Sequence, residues 1–335
     1  MKVSLRGKGK SAEARQFKAS ALENLYDMKQ QLIQHTYRIS LYKEFIVTEP
    51  KRRVIKSGAF RDKVLQHCLC DYVLLPRMQH EFIIDNCAGQ LGKGTLFGLD
   101  RLTKHLLDYY NTHGSQGYIL KCDITKFFYS IKHDKMKEVV AQYFDDENIR
   151  WICNLLIDSV DGDGLPLGNQ TSQVFALMYL AELDKVITEE YGFDLYGRYM
   201  DDFYIICDDK EKLKVLLVRI KDLLAQYGLT LNGKTEIVPI KKGIRFLGFH
   251  VYLTDDGKVI RKLNGDRKRQ TKKKLRKCAK LVKAGKMSRK KFDEIFQSMM
   301  NHLSHGNCYH LRCELTKSIN EYLESNEIQQ ERALG

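Results

Sequence analysis

The sequence predicts an α+β fold, an antiparallel sheet backed by helices, followed by a strongly basic helical part. Three observations lead there. Two short apolar runs, "GYILKCDI" (117–124) and "RYMDDFYII" (198–206), read as core strands that carry carboxylates at their ends. Segments with apolar residues at helical spacing surround them, and only four prolines, at 50, 76, 166 and 239, interrupt the 335 residues. Third, seventeen Lys and Arg stand against one acid, Asp266, between Lys258 and Lys291. That local excess is larger than the +14 of the whole chain, so the basic character is confined to one region. A phosphate backbone is the partner such a field fits.

In chain order, residues 11–46 read as one or two amphipathic helices, with Leu22, Leu25, Met28 and Leu32 near helical spacing. Gly58 to Pro76 reads as a short linker and a helix bearing Val64, Leu65, Cys68 and Leu69. The glycine-rich stretch 86–98 is expected to be a loop, and a helix resumes at Leu99. The run ending at Asp123 is the first strand, and 133–144 is helical. A glycine-rich loop, "VDGDGLPLGNQ" (160–170), feeds a helix from about Thr171 to Tyr191, which Gly192 stops. Strands at roughly 194–200 and 203–207 form a hairpin with the paired acids at its tip, and a helix spans 210–226 before Gly228. "RFLGFHVYL" (245–253) reads as one further strand, and from about Arg267 the chain is helical and basic.

Nine cysteines, an odd number without a CxxC pair, suit a reducing compartment, so a cytoplasmic location is expected. No apolar segment follows the basic N-terminus, which argues against a secretory signal. No stretch approaches the ~18 apolar residues of a membrane span, and no membrane partner is expected.

Asp123, Asp201 and Asp202 are the candidate catalytic groups. Three carboxylates meeting at strand ends repel one another unless cations bind them. Hard oxygen donors select Mg²⁺, with Mn²⁺ as a substitute, and two such ions roughly 4 Å apart suit in-line displacement at phosphorus.

Asp123 together with "YMDD" (199–202) resembles the palm active site of reverse transcriptases. The likeness runs in order through "EPKRRVIKSGAFRDKVLQHCL", "LGKGT", "LKCDITKFFYSI", "GLPLGNQTSQVFALMYLAELD", "YGRYMDDFYII", "GLTLNGKTEI" and "IRFLGFHV". It implies a right-hand polymerase: an N-terminal helical extension at 1–48, fingers at 49–117, a palm at 118–252 with a fingers-like segment near 130–172, and a basic helical thumb at 253–335. It also implies metal ligation by Asp123, Asp201 and the Ile124 carbonyl, with Asp202 in support. Phe128 matches the residue whose ring excludes a 2′-OH, although "FF" at 127–128 read alone is equally a core pair. Lys51, Arg53, Lys93, Gly168 and Gln173 fall at nucleotide-binding positions. Lys234 matches a lysine that protonates the leaving pyrophosphate, and "FLGFH" (246–250) a hairpin that grips the primer end. The implied partners are template RNA, an RNA/DNA heteroduplex and dNTPs.

"GLPLGNQTSQ" resembles the enzymes of diversity-generating retroelements, which copy a template RNA with frequent errors opposite adenine beside a small basic accessory variability protein. The strings Asn-Ala-x-x-His and Val-Thr-Gly of retron enzymes are absent, and no room is expected after the thumb for a maturase, RNase H or endonuclease domain. One departure is Gln90, where these enzymes often carry an arginine three residues before "KGT". Other readings stay open: a group II intron-like or antiphage reverse transcriptase with templated or untemplated synthesis, or a non-catalytic RNA-binding protein on a palm fold. Two clusters invite metal assignments that their spacing does not support. They are His302, His305, Cys308, His310 and Cys313 for zinc, and "DSVDGDG" (158–164) for calcium.

Overall fold

A computed structural model describes residues 4, 11–48 and 52–325. Nine strands in these residues form three sheets. β1 (Lys43–Val47) and β2 (Arg53–Ser57) make an antiparallel ribbon in register Phe45↔Ile55. β3 (Tyr118–Asp123), β4 (Tyr196–Tyr199), β5 (Asp202–Cys207) and β6 (Glu236–Pro239) form a four-stranded sheet of order β4-β5-β3-β6. β7 (Ile244–Phe246), β8 (Phe249–Leu253) and β9 (Val259–Leu263) form the third, with both pairings antiparallel.

The chain divides into two units. The first comprises Met1–Gly94, Cys122–Ile205 and Glu211–Glu236, and the second Thr95–Lys121, Ile206–Lys210 and Ile237–Gly335. In the first, helices Ala12–Ala19 and Ala21–Ile33 bury Ala14, Phe17 and Met28 in a core with Tyr37, Phe60, Val64 and Leu65. Phe17 meets Phe60 edge-on at 5.4 Å. Tyr37 donates its hydroxyl to the buried Asp62 carboxylate at 2.7 Å, and the Ser40 N–H gives that carboxylate a second bond at 3.0 Å. A buried carboxylate is tolerable on those terms. Residues 43–47 are strand rather than helix. All five are exposed and lack the period-2 burial that betrays a strand in sequence.

The helix expected over 171–191 is interrupted. It runs Gln170–Tyr179, breaks at Leu180, resumes at Ala181–Lys185 and widens into a π-turn at Val186–Glu190. Helix Lys210–Gln226 matches its expected bounds. Asp146 caps helix Glu147–Ile157 by accepting from the N–H groups of Asn148 and Ile149, which holds its carboxyl below the usual range.

In the second unit, helix Thr95–His113 starts four residues earlier than glycine content suggested, because Gly98 is buried inside it. The single strand expected over 245–253 is a hairpin, turned at Leu247 and Gly248 with φ of 49° and 93°. Helices Gly265–Lys283, Arg289–Leu303 and Tyr309–Glu324 pack pairwise on one another. Of the nine cysteines only Cys68, in the first unit, and Cys313, in the second, are exposed. Burial pushes the Cys153 thiol up to about 12 and the Cys70 thiol higher still. No helix of the described residues is long and apolar enough to cross a membrane.

Candidate active site

The paired acids lie at a two-residue hairpin turn. Tyr199 pairs with Asp202 across β4 and β5, leaving Met200 and Asp201 as the central residues. Met200 has φ of 56°, a left-handed conformation unusual for a side chain of this size, while φ of Asp201 is not positive. A positive φ at the first central residue is a feature of the primed turns, whose twist suits a hairpin. Tyr196, Phe203, Tyr204 and Ile205 are buried behind the turn, while Asp201 and Asp202 are half-buried.

Asp123 is brought to this turn by main-chain bonds. The Ile124 N–H donates to the Asp201 carbonyl at 3.1 Å. On its other side the strand meets residues 230–232: Asn232 N–H donates to the Asp123 carbonyl at 2.6 Å, and Thr125 N–H to the Thr230 carbonyl at 2.9 Å. Lys234 follows on an exposed turn that the Asn232 side chain shapes by accepting from the Lys234 N–H. Asp123, Ile124, Asp201, Asp202 and the Lys234 turn therefore share one neighbourhood in the first unit. Their donor set, carboxylate and carbonyl oxygens, is the chemistry that suits a hard divalent cation. Among the described residues no group of three or more His, Cys, Asp or Glu side chains is placed to hold a metal ion.

Sequence reasoning missed Arg198. It is fully buried and forms a fork with Asp184, Nε to Oδ1 at 2.7 Å and Nη2 to Oδ2 at 2.5 Å. Tyr196 donates to the same Oδ1 at 2.6 Å. The third guanidinium nitrogen, Nη1, donates to the Met200 carbonyl at 3.1 Å. Burial alone would lower the Arg198 pKa, but Asp184 beside it keeps the guanidinium charged and raises it. Burial, then Asp184, push the Tyr196 phenol well up. The available signal was an arginine inside an otherwise apolar strand.

The nucleotide-binding candidates fall into separate local settings. Phe127 and Phe128 differ in burial. Phe127 is core, whereas Phe128 is half-buried and meets it edge-on at 5.7 Å. The Phe128 carbonyl accepts from Leu165 N–H at 2.7 Å, tying it to the glycine-rich loop. Gly168 lies against β2: φ is +119°, and a Cβ there would come within 3.0 Å of Ile55 and 3.1 Å of the Lys56 carbonyl. Lys56 N–H donates to the Leu167 carbonyl at 2.9 Å, which joins this loop to the strand that begins at exposed Arg53. Gln173 is exposed although its helix neighbours from Thr171 to Tyr179 are buried. Lys93 donates its ammonium to the Ile84 carbonyl at 2.9 Å, and Gln90 its amide to the Asn86 carbonyl at 2.9 Å. Lys51 lies outside the described residues.

The two decoy clusters have structural partners. His302 packs on Phe249 at 5.4 Å and on His305 at 6.0 Å, and Cys308 is buried. Asp158 pairs with Lys137 and His133, and Asp163 with Lys132.

Residues 51–251, more than half of the chain, match the family described as Reverse transcriptase (RNA-dependent DNA polymerase). No curated protein matches the chain. Among solved structures, apo telomerase from Candida tropicalis truncated from its C-terminal domain is 15% identical at a TM-score of 0.53, over 72% of this chain and 60% of that one. Telomerase from Candida albicans in complex with a TWJ fragment of telomeric RNA is 12% identical at 0.54, over 85% of this chain and 62% of that one. The chain thus spans less than two thirds of those solved chains, and the likeness is one of fold.

Proposed function

The chain belongs to the reverse transcriptase family, and from that premise we propose that it copies a template RNA into DNA by nucleotidyl transfer at Asp123, Asp201 and Asp202. One observation carries the reading: the 3.1 Å bond from Ile124 N–H to the Asp201 carbonyl sets two acid-bearing strand ends, far apart in sequence, side by side. The carboxylates and the Ile124 carbonyl would hold two Mg²⁺ ions, or Mn²⁺ in their place. When bound, such a pair supplies a lowered pKa for the attacking 3′-hydroxyl and charge neutralisation for the departing pyrophosphate.

The chain's own residues supply the rest. Lys234, exposed beside Asn232, protonates the leaving pyrophosphate oxygen. The Phe128 ring excludes a 2′-OH and so selects dNTPs. Arg53 and Lys51 hold the triphosphate, with Gly168 and Gln173 lining its base and sugar. Lys93 joins them only by releasing the Ile84 carbonyl. Basic helix Gly265–Lys283 contacts the phosphates of the RNA/DNA heteroduplex, which fixes position without reading sequence.

Within the family, "GLPLGNQTSQ" supports a role in a diversity-generating retroelement, with a small basic accessory protein as partner and the cytoplasm as the place of work. Primer extension on a defined RNA with dNTPs and Mg²⁺, followed by sequencing of the product, tests both levels. Incorporation that Asp201→Ala abolishes, with errors concentrated opposite adenine, is the expected result. Folded protein that incorporates nothing under any template, metal or partner condition overturns the polymerase reading. Faithful copying at adenine, or untemplated tails, overturns the subfamily alone.

A further inference from the structure

We propose that Arg198 is a positioning residue for this reaction: from behind the hairpin its guanidinium locks the Met200–Asp201 turn to Asp184, and so fixes where the Asp201 carboxylate points. The proposal rests on the reading of Asp201 as a metal-binding acid.

A two-residue turn has two central carbonyls, and both are held here. The Met200 carbonyl accepts from Arg198 Nη1 at 3.1 Å, and the Asp201 carbonyl from Ile124 N–H at 3.1 Å. The turn also needs holding. A left-handed φ at a non-glycine residue costs about 1–3 kcal/mol and persists where its surroundings over-determine it. Arg198 is suited to that task because it is itself fixed from several directions. Its N–H donates to the Asp85 carbonyl at 2.9 Å, and its carbonyl accepts from Cys87 N–H at 2.7 Å. Its Nε and Nη2 grip both oxygens of Asp184, which Tyr196 steadies from a third side.

Stability alone does not account for this arrangement. Taking both charges out of water has a desolvation penalty of several kcal/mol per ion, and an apolar pair of similar volume is often as stable or more so. What an apolar pair cannot supply is a donor aimed at the Met200 carbonyl. A lysine could face Asp184, but it lacks the planar fork that reaches two acceptors in fixed directions.

Arg198→Lys and Tyr196→Phe, compared side by side, separate positioning from mere support. Tyr196 donates its hydroxyl to the same Asp184 oxygen, whereas Arg198 also donates to the Met200 carbonyl of the turn. Arg198→Lys is expected to lower kcat by about 10- to 100-fold with the dNTP KM within about twofold, as small misplacements of reacting groups do. The Mg²⁺ concentration needed for half-maximal rate should rise. Tyr196→Phe should keep kcat per folded molecule. A second readout needs no activity: hydrogen exchange should speed up at residues 199–202 in Arg198→Lys, with helix Gln170–Tyr179 unchanged, and not in Tyr196→Phe. If Arg198→Lys does not fold, the double variant Arg198→Gln with Asp184→Asn replaces it, removing both charges together, with the same expected loss. Wild-type kcat and turn protection in the arginine variant overturn the proposal, as does an equal kcat loss in Tyr196→Phe. If the parent protein shows no polymerisation, the proposed function fails, while the exchange data still decide the role of Arg198.

Discussion

The buried charges of the first unit and the basic helices of the second use charge in opposite ways. The first takes charges out of water and fixes them: Arg198 and Asp184 are at most 1% exposed and form a fork, and Asp62 is buried against Tyr37 and Ser40. In the second, the basic helices keep charge at the surface, in pairs one helical turn apart such as Arg269–Asp266, Arg289–Asp293 and Lys291–Glu294. Their cations far outnumber their acids. Fixed charges in a dry setting give a definite geometry, as chemistry on a small ion requires. Mobile surface charges give a diffuse field, which a long polyanion needs and a catalytic centre does not.

That contrast can be broken at its strongest point first. If Asp123 holds metal as proposed, Asp123→Ala in the first unit should reduce dNTP incorporation by about 10³-fold or more, the loss of several kcal/mol of charge stabilisation. Nucleic-acid affinity, measured by filter binding or anisotropy, should change little. Next in size, Asp184→Ala leaves Arg198 as an uncompensated buried charge and should destabilise the fold by about 3–5 kcal/mol in denaturant unfolding. Asp293→Ala, which breaks an exposed pair of the second unit, should change stability by about 0.5 kcal/mol or less. Equal effects of the two would erase the distinction between fixed and mobile charge.

A third test addresses the diffuse field. Replacing Lys273, Lys274 and Lys277 with Gln should lower the slope of log affinity against log salt by about one for each phosphate no longer neutralised. The rate at saturating template and dNTP should stay close to that of the parent protein. The smallest effect expected is a pH dependence of the second unit. Burial, with His305 and Arg267 nearby, holds His302 below its ordinary 6.5, and burial does the same for His250. The unfolded chain therefore binds these protons more readily than the folded one. The stability they contribute is complete above about pH 6.5 and is lost as pH falls through the lowered folded values. Melting temperature followed from pH 7.5 to 5 should fall, and the fall should flatten in His302→Gln.

Legibility in the sequence followed burial pattern. "GYILKCDI" and the strands around "MDD" were readable because their apolar runs end in acids, and helix Lys210–Gln226 because a glycine stops it two residues on. β1 was not, since Phe45, Ile46 and Val47 are all exposed and show no alternation. The turn at Leu247 is not legible because leucine seldom adopts a left-handed φ; Phe246 pairs with Phe249 across it. At the candidate site, the acids could be proposed from sequence, but the bond between Ile124 and Asp201 could not be read there. Nor could Arg198, whose role depends on Asp184 fourteen residues earlier on another element.

The exposure of Cys68 and Cys313, one in each unit, gives the protein two native attachment points for spin or fluorescent probes. The remaining thiols are shielded by burial, so labelling should be selective without engineering a new cysteine. A dipolar distance between the two labels, recorded with and without primer–template, would measure the separation of the labelled sites in each state.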